Sequence, residues 1–194
     1  LAPSAAYAWM TCPGYINATE HIPDAPSVFT AEGTVAHEVR EMCLTLGLDV
    51  EDFVGARYTA DGFGFEVTPQ WAEWLQPGID RVRDLGGELF VEHRVTLDRW
   101  MPGQFGTLDV GIVRDDLIVI NDLKFGQGEA VSPVENAQLM IYALGFWDNI
   151  ARHRTKAEDF LLIIDQPRIA NAGGEWRTTL EDLLAFGERV KKAA

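Results

Sequence analysis

Cysteine, long apolar runs and positive charge are all scarce in this sequence. The two cysteines, Cys12 and Cys43, are too few for a disulfide framework, which favours a reducing cytoplasm. No apolar stretch is long enough to span a bilayer, and residues 1–11 lack the basic region of a signal peptide. The formal net charge of −14 argues against a protein that coats nucleic acid through a broad basic surface. A small local patch that binds an anionic polymer is compatible with this charge.

The hydrophobic content is sufficient for a core. With 194 residues and 47% hydrophobic side chains, the chain can fold as one domain. Residues 1–68 predict a helical N-terminal part, and residues 69–194 predict an α/β core with a mixed central sheet flanked by helices. The predicted helices cover 4–11, 30–46, 69–85, 133–150 and 178–194, and the predicted strands cover 88–97, 105–114, 116–124 and 159–165.

The second and third predicted strands form a hairpin with acidic side chains near its open end. If residues 115–116 are a two-residue turn, the resulting register sets Asp109 directly opposite Asp122. Directly opposed side chains lie roughly 5 Å apart on one face of a sheet. Lys124 is expected on the same face as Asp122, because side chains alternate along a strand.

These two aspartates lie among apolar residues typical of a sheet that is buried on both faces. Two carboxylates facing each other there are destabilising unless something compensates their charge. A divalent cation with oxygen ligands, Mg²⁺ or Mn²⁺, would do so, and Lys124 would add to it. The alternative is that both aspartates lie in solvent at a strand end, with Lys124 as an ordinary surface partner. Spacing alone does not decide between the two.

Three short motifs follow one another in the order of a known nuclease family. They read G-T-x-D at residues 106–109, D-x-K at residues 122–124 and Q-x-x-x-Y at residues 138–142. This series resembles the RecB-like branch of the PD-(D/E)XK nuclease superfamily, particularly its phage-encoded members. Upstream, Glu32–Glu38 is similar to the helix that carries a metal-binding histidine in that branch. The resemblance spans nearly the whole chain.

This resemblance implies a single nuclease-like domain over residues 1–194, with a restriction-endonuclease-like core in which a metal orients and acidifies a water for attack on a phosphodiester. Lys124 would position or deprotonate that water and offset charge on the phosphate. Gln138 and Tyr142 would act around the substrate backbone and brace the site. The implied metal ligands are His37, Asp109, Asp122 and the backbone carbonyl of Leu123, and the implied catalytic residues are Asp109, Asp122, Lys124, Gln138 and Tyr142.

Some of these residues also have simpler interpretations. A lone histidine on a helix is more often structural than a ligand, although the Gly-Thr-x-x-His context favours a ligand for His37, whose ring Glu41 could orient. Gln138 and Tyr142 share one helix face at i, i+4 spacing, as they would in an ordinary amphipathic helix. Glu92, on the first predicted strand, is a possible further acidic contributor, or more simply a solvated carboxylate.

Iron–sulfur chemistry is not supported within these residues. Some relatives in the resembled branch hold a cluster with one cysteine before the nuclease core and three after it. Cys12 stands where the early ligand would be, but no cysteine follows Cys43. We therefore expect Cys12 to be a buried thiol or an orphaned ligand.

Contacts to DNA are expected from a small number of side chains. Trp100 and Trp176, in predicted loops, are candidates for stacking on unpaired bases. Charge runs are often only solvated loops, which is the alternative for the basic residues. The candidates for phosphate binding are Arg152, Arg154, Lys156, Arg168 and Arg177.

The sequence thus predicts a Mg²⁺- or Mn²⁺-dependent deoxyribonuclease, an exonuclease in phage DNA recombination or processing. Its substrate would be DNA, with a recombination or single-strand-binding protein as a possible partner, in the cytoplasm of a bacterial host and away from membranes. One alternative is a catalytically silent DNA-binding protein that keeps the fold. Another is a structural protein of a phage assembly, which the acidity would suit.

Overall fold

A five-stranded mixed sheet forms the centre of the computed structural model, which describes residues 1–22 and 25–194. The helices are α1 (Ala6–Thr11), α2 (Tyr15–Thr19), α3 (Val28–Leu46), α4 (Pro69–Leu85), α5 (Ala137–Asn149) and α6 (Leu180–Ala193). The strands are β1 (Arg57–Ala60), β2 (Phe63–Glu66), β3 (Glu88–Thr96), β4 (Phe105–Val113), β5 (Ile118–Leu123), β6 (Asp159–Asp165) and β7 (Gly174–Thr179). No helix of the described residues is long and apolar enough to cross a membrane.

The large sheet has the strand order β3-β4-β5-β6-β7. Neighbouring strands are antiparallel except β5 and β6, which are parallel. A parallel pair needs a long crossover, and α5 provides it between these two strands. The prediction of an α/β fold with a mixed central sheet between helices is therefore confirmed.

Both faces of the sheet are buried, as the apolar strands predict. Ile118 and Ile120 of β5 pack with α1, α5 and α6 in one apolar cluster. Val119 and Leu123, which alternate with them, pack with α3 and α4 in the other. The sheet therefore separates an α5 side from an α3 side, and the ends of its strands are where side chains from both sides can meet.

The N-terminal part contributes directly to this core and is not wholly helical. Val35 and Val39 of α3 are fully buried in the same cluster as Val119. Residues 57–66, within the part that the sequence predicts to be helical, form the hairpin β1–β2. Its turn is Asp61-Gly62, with both residues at positive φ, and Asp-Gly between short strands is itself a strong hairpin signal.

The β4–β5 hairpin has the register that a two-residue turn dictates. Val113 pairs with Ile118, the ladder continues to Val110 and Asn121, and the Arg114 amide donates to the Leu117 carbonyl at 3.0 Å. This part of the sequence prediction is confirmed. Beyond Val110 and Asn121 the ladder stops, so the next residues on each strand, Asp109 and Asp122, lie where the two strands part.

Candidate metal centre

Opposed irregularities in β3 and β4 shape the site. Val91 pairs with Val110 and His93 pairs with Leu108, but Glu92 and Asp109 between them are unpaired, and Glu92 has a φ of 43°. The alternation of faces breaks at this point. A Cβ at Gly106 would meet the ring of Tyr142, and a Cβ at Gly111 would meet that of Phe146. Both positions therefore face α5, although they are an odd number of positions apart and regular alternation would put them on opposite faces.

The same break occurs on β3. The rings of Phe90 and His93 contact each other on one side of the sheet, although regular alternation would put them on opposite faces. Glu92 and Asp109 consequently both reach towards α3, where His37 lies. A local departure from strand geometry that aims two carboxylates at one histidine is characteristic of a functional site.

His37 is the centre of this cluster. Its Nδ1 lies 3.4 Å from Glu92 Oε1 and 3.4 Å from Asp109 Oδ2, and its Nε2 lies 3.1 Å from the carbonyl oxygen of Leu123. One potential ligand atom from each of His37, Glu92 and Asp109 lies within 4.8 Å of the other two. Glu41, which the sequence suggested as the partner that orients the ring, is exposed, and Glu92 takes that place.

Asp122 lies on the α5 side of the same strand end. It is only 3% exposed, and its Oδ1 accepts a hydrogen bond from Gln138 Nε2 at 3.1 Å. Lys124 Nζ donates to Gln138 Oε1 at 3.0 Å and lies 2.9 Å from Asp122 Oδ2. Asp122 Oδ2 is buried, and the Lys124 ammonium is its counter-ion.

The prediction that Asp109 and Asp122 share one face is wrong. Asp122 faces Gln138 of α5, whereas Asp109 faces His37 of α3 and accepts a hydrogen bond from the Leu123 amide at 2.7 Å. The reason is the break in alternation at Asp109. The two carboxylates approach the open end of the β4–β5 hairpin from opposite sides.

The structure also gives a physical reason for two of the sequence motifs to occur together. Tyr142 is mostly buried against β4. A Cβ at Gly106 would lie 2.6 Å from its ring, a separation that no ordinary contact permits. The glycine of the G-T-x-D motif therefore makes room for the tyrosine of the Q-x-x-x-Y motif.

Arg40 is a buried residue of α3 that contacts the residues around the site. It lies one helical turn after His37, is 3% exposed, and donates from Nη2 to Asn121 Oδ1 and, at 3.2 Å, to Asp165 Oδ2. Its Nη1 lies 3.9 Å from Asp109 Oδ2 and has no hydrogen-bond partner within the described chain. The sequence analysis did not identify Arg40, although a charged residue in line with the apolar face of α3 is a signal for a buried polar network.

Without a bound cation, the surroundings of the cluster raise the pKa of Asp122 and of His37, so both side chains hold their protons to higher pH than usual. Burial, together with the charge of Asp109, raises the pKa of Asp122 to about 6, against the opposing effect of Lys124. Burial lowers the pKa of His37, but the hydrogen bond to Glu92 and the charges of Asp109, Glu92 and Asp122 outweigh burial, so the pKa is raised overall. Burial also raises the pKa of Tyr142 to about 12.

These shifts predict how the stability of the metal-free protein depends on pH. Because the pKa of Asp122 rises from 3.8 to about 6 on folding, the unfolded chain releases this proton first, and the free energy of unfolding falls as pH rises from about 4 to about 6. His37, whose pKa is also raised, loses its contribution as pH rises through its folded value. Urea unfolding in EDTA should show a flatter slope over the first window for Asp122→Asn than for the wild type. Equal slopes for the two proteins would contradict the raised pKa of Asp122.

The donors present fit a small divalent cation. Carboxylate oxygens, a backbone carbonyl and one imidazole suit Mn²⁺ and, with less preference for the imidazole, Mg²⁺. The buried Oδ2 of Asp122, which lies against Lys124, is a further oxygen at the same strand end. A cation held by either ring nitrogen of His37 would leave the other free to hydrogen-bond to an acceptor that fixes the ring.

Most of the basic residues predicted to contact DNA lie elsewhere. Arg152, Arg154 and Lys156 line a cleft with Asp115, in the β4–β5 turn, at the opposite end of β5 from Asp122. Arg152 pairs with a carboxylate on α5, and Arg154 with one at the start of β3. The structure therefore does not bring this run to the site.

The remaining candidates divide between the site and the rest of the sheet. Arg168 lies near the site, because it contacts the carbonyl of Phe125, but it is mostly buried and paired with Glu32. Arg177 and Trp176 lie in β7 and not in a loop, and Trp100 is 2% exposed, which removes it as a stacking surface.

The two cysteines differ in exposure. Cys43 is buried in α3, whereas Cys12, at the end of α1, is exposed. The expectation that Cys12 is a buried thiol is therefore wrong, and its position as an orphaned ligand stays a prediction.

Comparison with known proteins gives a family but no activity. Similar solved structures include the crystal structure of SSO0001, with 12% sequence identity over 96% of this chain and 83% of that chain. The TM-score of 0.31 is too low for that likeness to indicate a common fold. A family model described as "Protein of unknown function (DUF2800)" matches residues 1–194. This match covers the whole sequence, and the chain belongs to that family.

Proposed function

We propose that the protein is a Mg²⁺- or Mn²⁺-dependent deoxyribonuclease with a restriction-endonuclease-like core, related to the RecB-like branch of the PD-(D/E)XK superfamily. In this proposal it hydrolyses phosphodiester bonds as an exonuclease in phage DNA recombination or processing. The observation that carries it is the meeting of His37, Glu92 and Asp109 at the strand end that bears Asp122 and Lys124.

A purely structural role does not account for this cluster. Isolated buried carboxylates are destabilising unless they are paired or bind a cation. Here Asp122 is paired with Lys124, but Glu92 and Asp109 approach the same nitrogen of His37. Glu92 is also held in a backbone conformation that residues other than glycine seldom adopt. The arrangement would be compensated by a divalent cation, which supports the proposal.

The protein groups have separable roles in such a reaction. A divalent cation held by His37 and the carboxylates would acidify a water and neutralise charge on the phosphate. Gln138 bridges Asp122 and Lys124, so one amide fixes the positions of both side chains. Lys124 can then donate a hydrogen bond to the attacking water or to a phosphate oxygen. Tyr142, with its pKa raised to about 12, keeps its proton at neutral pH.

The decisive measurement is DNA cleavage by Lys124→Ala. We expect the variant to cleave about 10²–10³-fold more slowly than wild type, because one preorganised donor to the transition state is lost. The substrates are linear and closed-circular DNA, single- and double-stranded, each with Mg²⁺, Mn²⁺ or EDTA. Lys192→Ala, which changes an exposed lysine near the end of α6, is the matched control and should cleave as wild type does.

Each outcome of this assay favours one function. Cleavage of linear DNA alone supports an exonuclease, and cleavage of closed circles supports an endonuclease. Equal rates for Lys124→Ala and wild type, or cleavage that EDTA leaves unchanged, would overturn the assignment. DNA binding without Mg²⁺- or Mn²⁺-dependent cleavage would support the silent DNA-binding protein, and neither binding nor cleavage would support a structural protein of a phage assembly.

A further inference from the structure

Most basic side chains of this acidic protein are already neutralised by carboxylates. Arginines on α3 and α4 and in the loops lie within ion-pair distance of aspartate or glutamate. Within residues 1–22 and 25–194, the lysines and arginines outside any such pair are Arg94, Lys156, Arg177, Arg189 and Lys192.

Of these five, Arg94 is next to the candidate metal centre. Arg94 is on β3, two residues after Glu92. Its partner across the ladder is Thr107, which is two residues before Asp109 on β4. Alternation therefore places Arg94, Thr107 and the two carboxylates on the same face of the sheet. Arg94 and Thr107 are exposed, because α3 and α4 do not cover this part of the face.

Phe105 completes a flat surface on these two strands. The guanidinium carbon of Arg94 lies 3.6 Å from the centroid of its ring. Phe105, the first residue of β4, nevertheless remains 53% exposed. The unpaired guanidinium covers one face of the ring, and the surface that remains exposed is available for stacking beside that positive charge.

We propose that Arg94, Phe105 and Thr107 bind the nucleotide adjacent to the phosphate held at the metal centre, and that the substrate there is an unpaired DNA strand. This inference rests on the proposed nuclease function. Two strand residues advance by about 6.7 Å, which sets the surface one extended nucleotide away from Glu92 and Asp109. The Arg94 guanidinium and the Thr107 hydroxyl contact the phosphate, and the base stacks on Phe105.

The charge distribution selects a single strand over a long duplex. A duplex footprint needs several phosphate contacts from a broad basic surface. This chain has a net charge of −14, and Arg94 is the one unpaired cation of the described residues on the strands that hold Glu92 and Asp109. Stacking on Phe105 also requires a base with a free face, which a frayed or single-stranded end supplies and an intact duplex does not.

The test measures binding in a Lys124→Ala background, by fluorescence anisotropy of a labelled single-stranded oligonucleotide with Mn²⁺. Adding Arg94→Ala or Phe105→Ala should weaken binding about tenfold each. Arg94→Ala should also reduce the dependence of log K on log salt by about 0.7, one phosphate contact on a single strand. Arg189→Ala is the matched control, because Arg189 is also exposed, unpaired among the described residues and near a ring, that of Phe186, but lies on α6.

Two further probes separate stacking from charge. The protein with Phe105 should bind an oligonucleotide that lacks its terminal base more weakly than the intact oligonucleotide. The Phe105→Ala variant should bind these two oligonucleotides equally. A blunt duplex should bind more weakly than the single strand. The proposal is overturned if Arg94→Ala and Phe105→Ala behave as Arg189→Ala does, if the duplex binds as tightly as the single strand, or if no oligonucleotide binds.

These outcomes are distinct from failure of the nuclease proposal. Metal-dependent cleavage by wild type together with unaltered binding by Arg94→Ala and Phe105→Ala would remove the nucleotide surface and leave the nuclease. Weakened binding by both variants with no cleavage by wild type would remove the nuclease and leave a protein that binds single strands.

Discussion

Replacing Asp109 with asparagine is expected to reduce metal-dependent DNA cleavage to background and to abolish stabilisation by Mn²⁺. Asparagine is similar in size to aspartate, and its side-chain oxygen can still accept the hydrogen bond from the Leu123 amide. What it loses is the negative charge beside His37 and Glu92. The fold should survive, because the size of the side chain and its hydrogen bond are kept. The cation site should be lost, because a cation needs the negative charge of the carboxylate.

Unfolding measurements give this prediction a magnitude. At about 100 times its dissociation constant, a ligand that binds only the folded state stabilises it by about 2.7 kcal/mol. Wild type should show a gain of that order in urea unfolding between EDTA and saturating Mn²⁺, and Asp109→Asn should show almost none. Asp159→Asn, an exposed aspartate at the start of β6, is the control and should respond as wild type does. An equal gain for Asp109→Asn would remove it from the ligand set.

Arg40→Met is expected to lower the free energy of unfolding by about 3–5 kcal/mol, the usual consequence of removing one partner from a buried ion pair. Methionine fills much of the same volume, so the loss is electrostatic and not due to a cavity. Without the guanidinium, Asp165 and the Oδ1 of Asn121 each lose a donor in a buried position. The remaining donors to Asp165 are Asn121 and the more exposed Arg81.

A second variant distinguishes this mechanism from general disruption of α3. Adding Asp165→Asn to Arg40→Met removes the carboxylate charge that has lost its buried partner and should recover part of the lost stability. Urea unfolding of the wild type, both single variants and the double variant forms the cycle that measures the coupling. A loss for Arg40→Met below about 1 kcal/mol, as for a surface ion pair, would show that the network contributes little.

Local rules predicted five of the six α-helices of the described residues, four of the five strands of the large sheet and the hairpin register, but not β1, β2 or β7. The two-residue turn at residues 115–116 fixed the pairing of Val110 with Asn121, as expected from the sequence. The same rules failed at Asp109, because strict alternation was extended through a residue at which alternation breaks. Nothing in the sequence of β4 alone indicates that break, since it depends on Glu92 in the neighbouring strand and on His37 in a helix far away along the chain.

Contacts between distant residues also explain what was missed around the site. Arg40 and Asp165 are 125 positions apart, and no local pattern links them. For the basic run at residues 152–156, the local pattern predicted a role that the contacts between distant residues do not support. Its local density suggested a phosphate-binding patch, yet Arg154 is partly neutralised by Glu88, which lies 66 positions earlier. Charge density along a sequence does not show which charges the fold has already paired.

The close approach of Gly106 to Tyr142 has a consequence for how this sequence can change over evolution. The two residues come from different motifs, yet neither can be altered freely, because any side chain at position 106 would collide with the aromatic ring. A descendant with alanine at position 106 would need a smaller residue at position 142, and it would then lose the aromatic group beside Gln138. Gly106 and Tyr142 are therefore expected to be kept or replaced together.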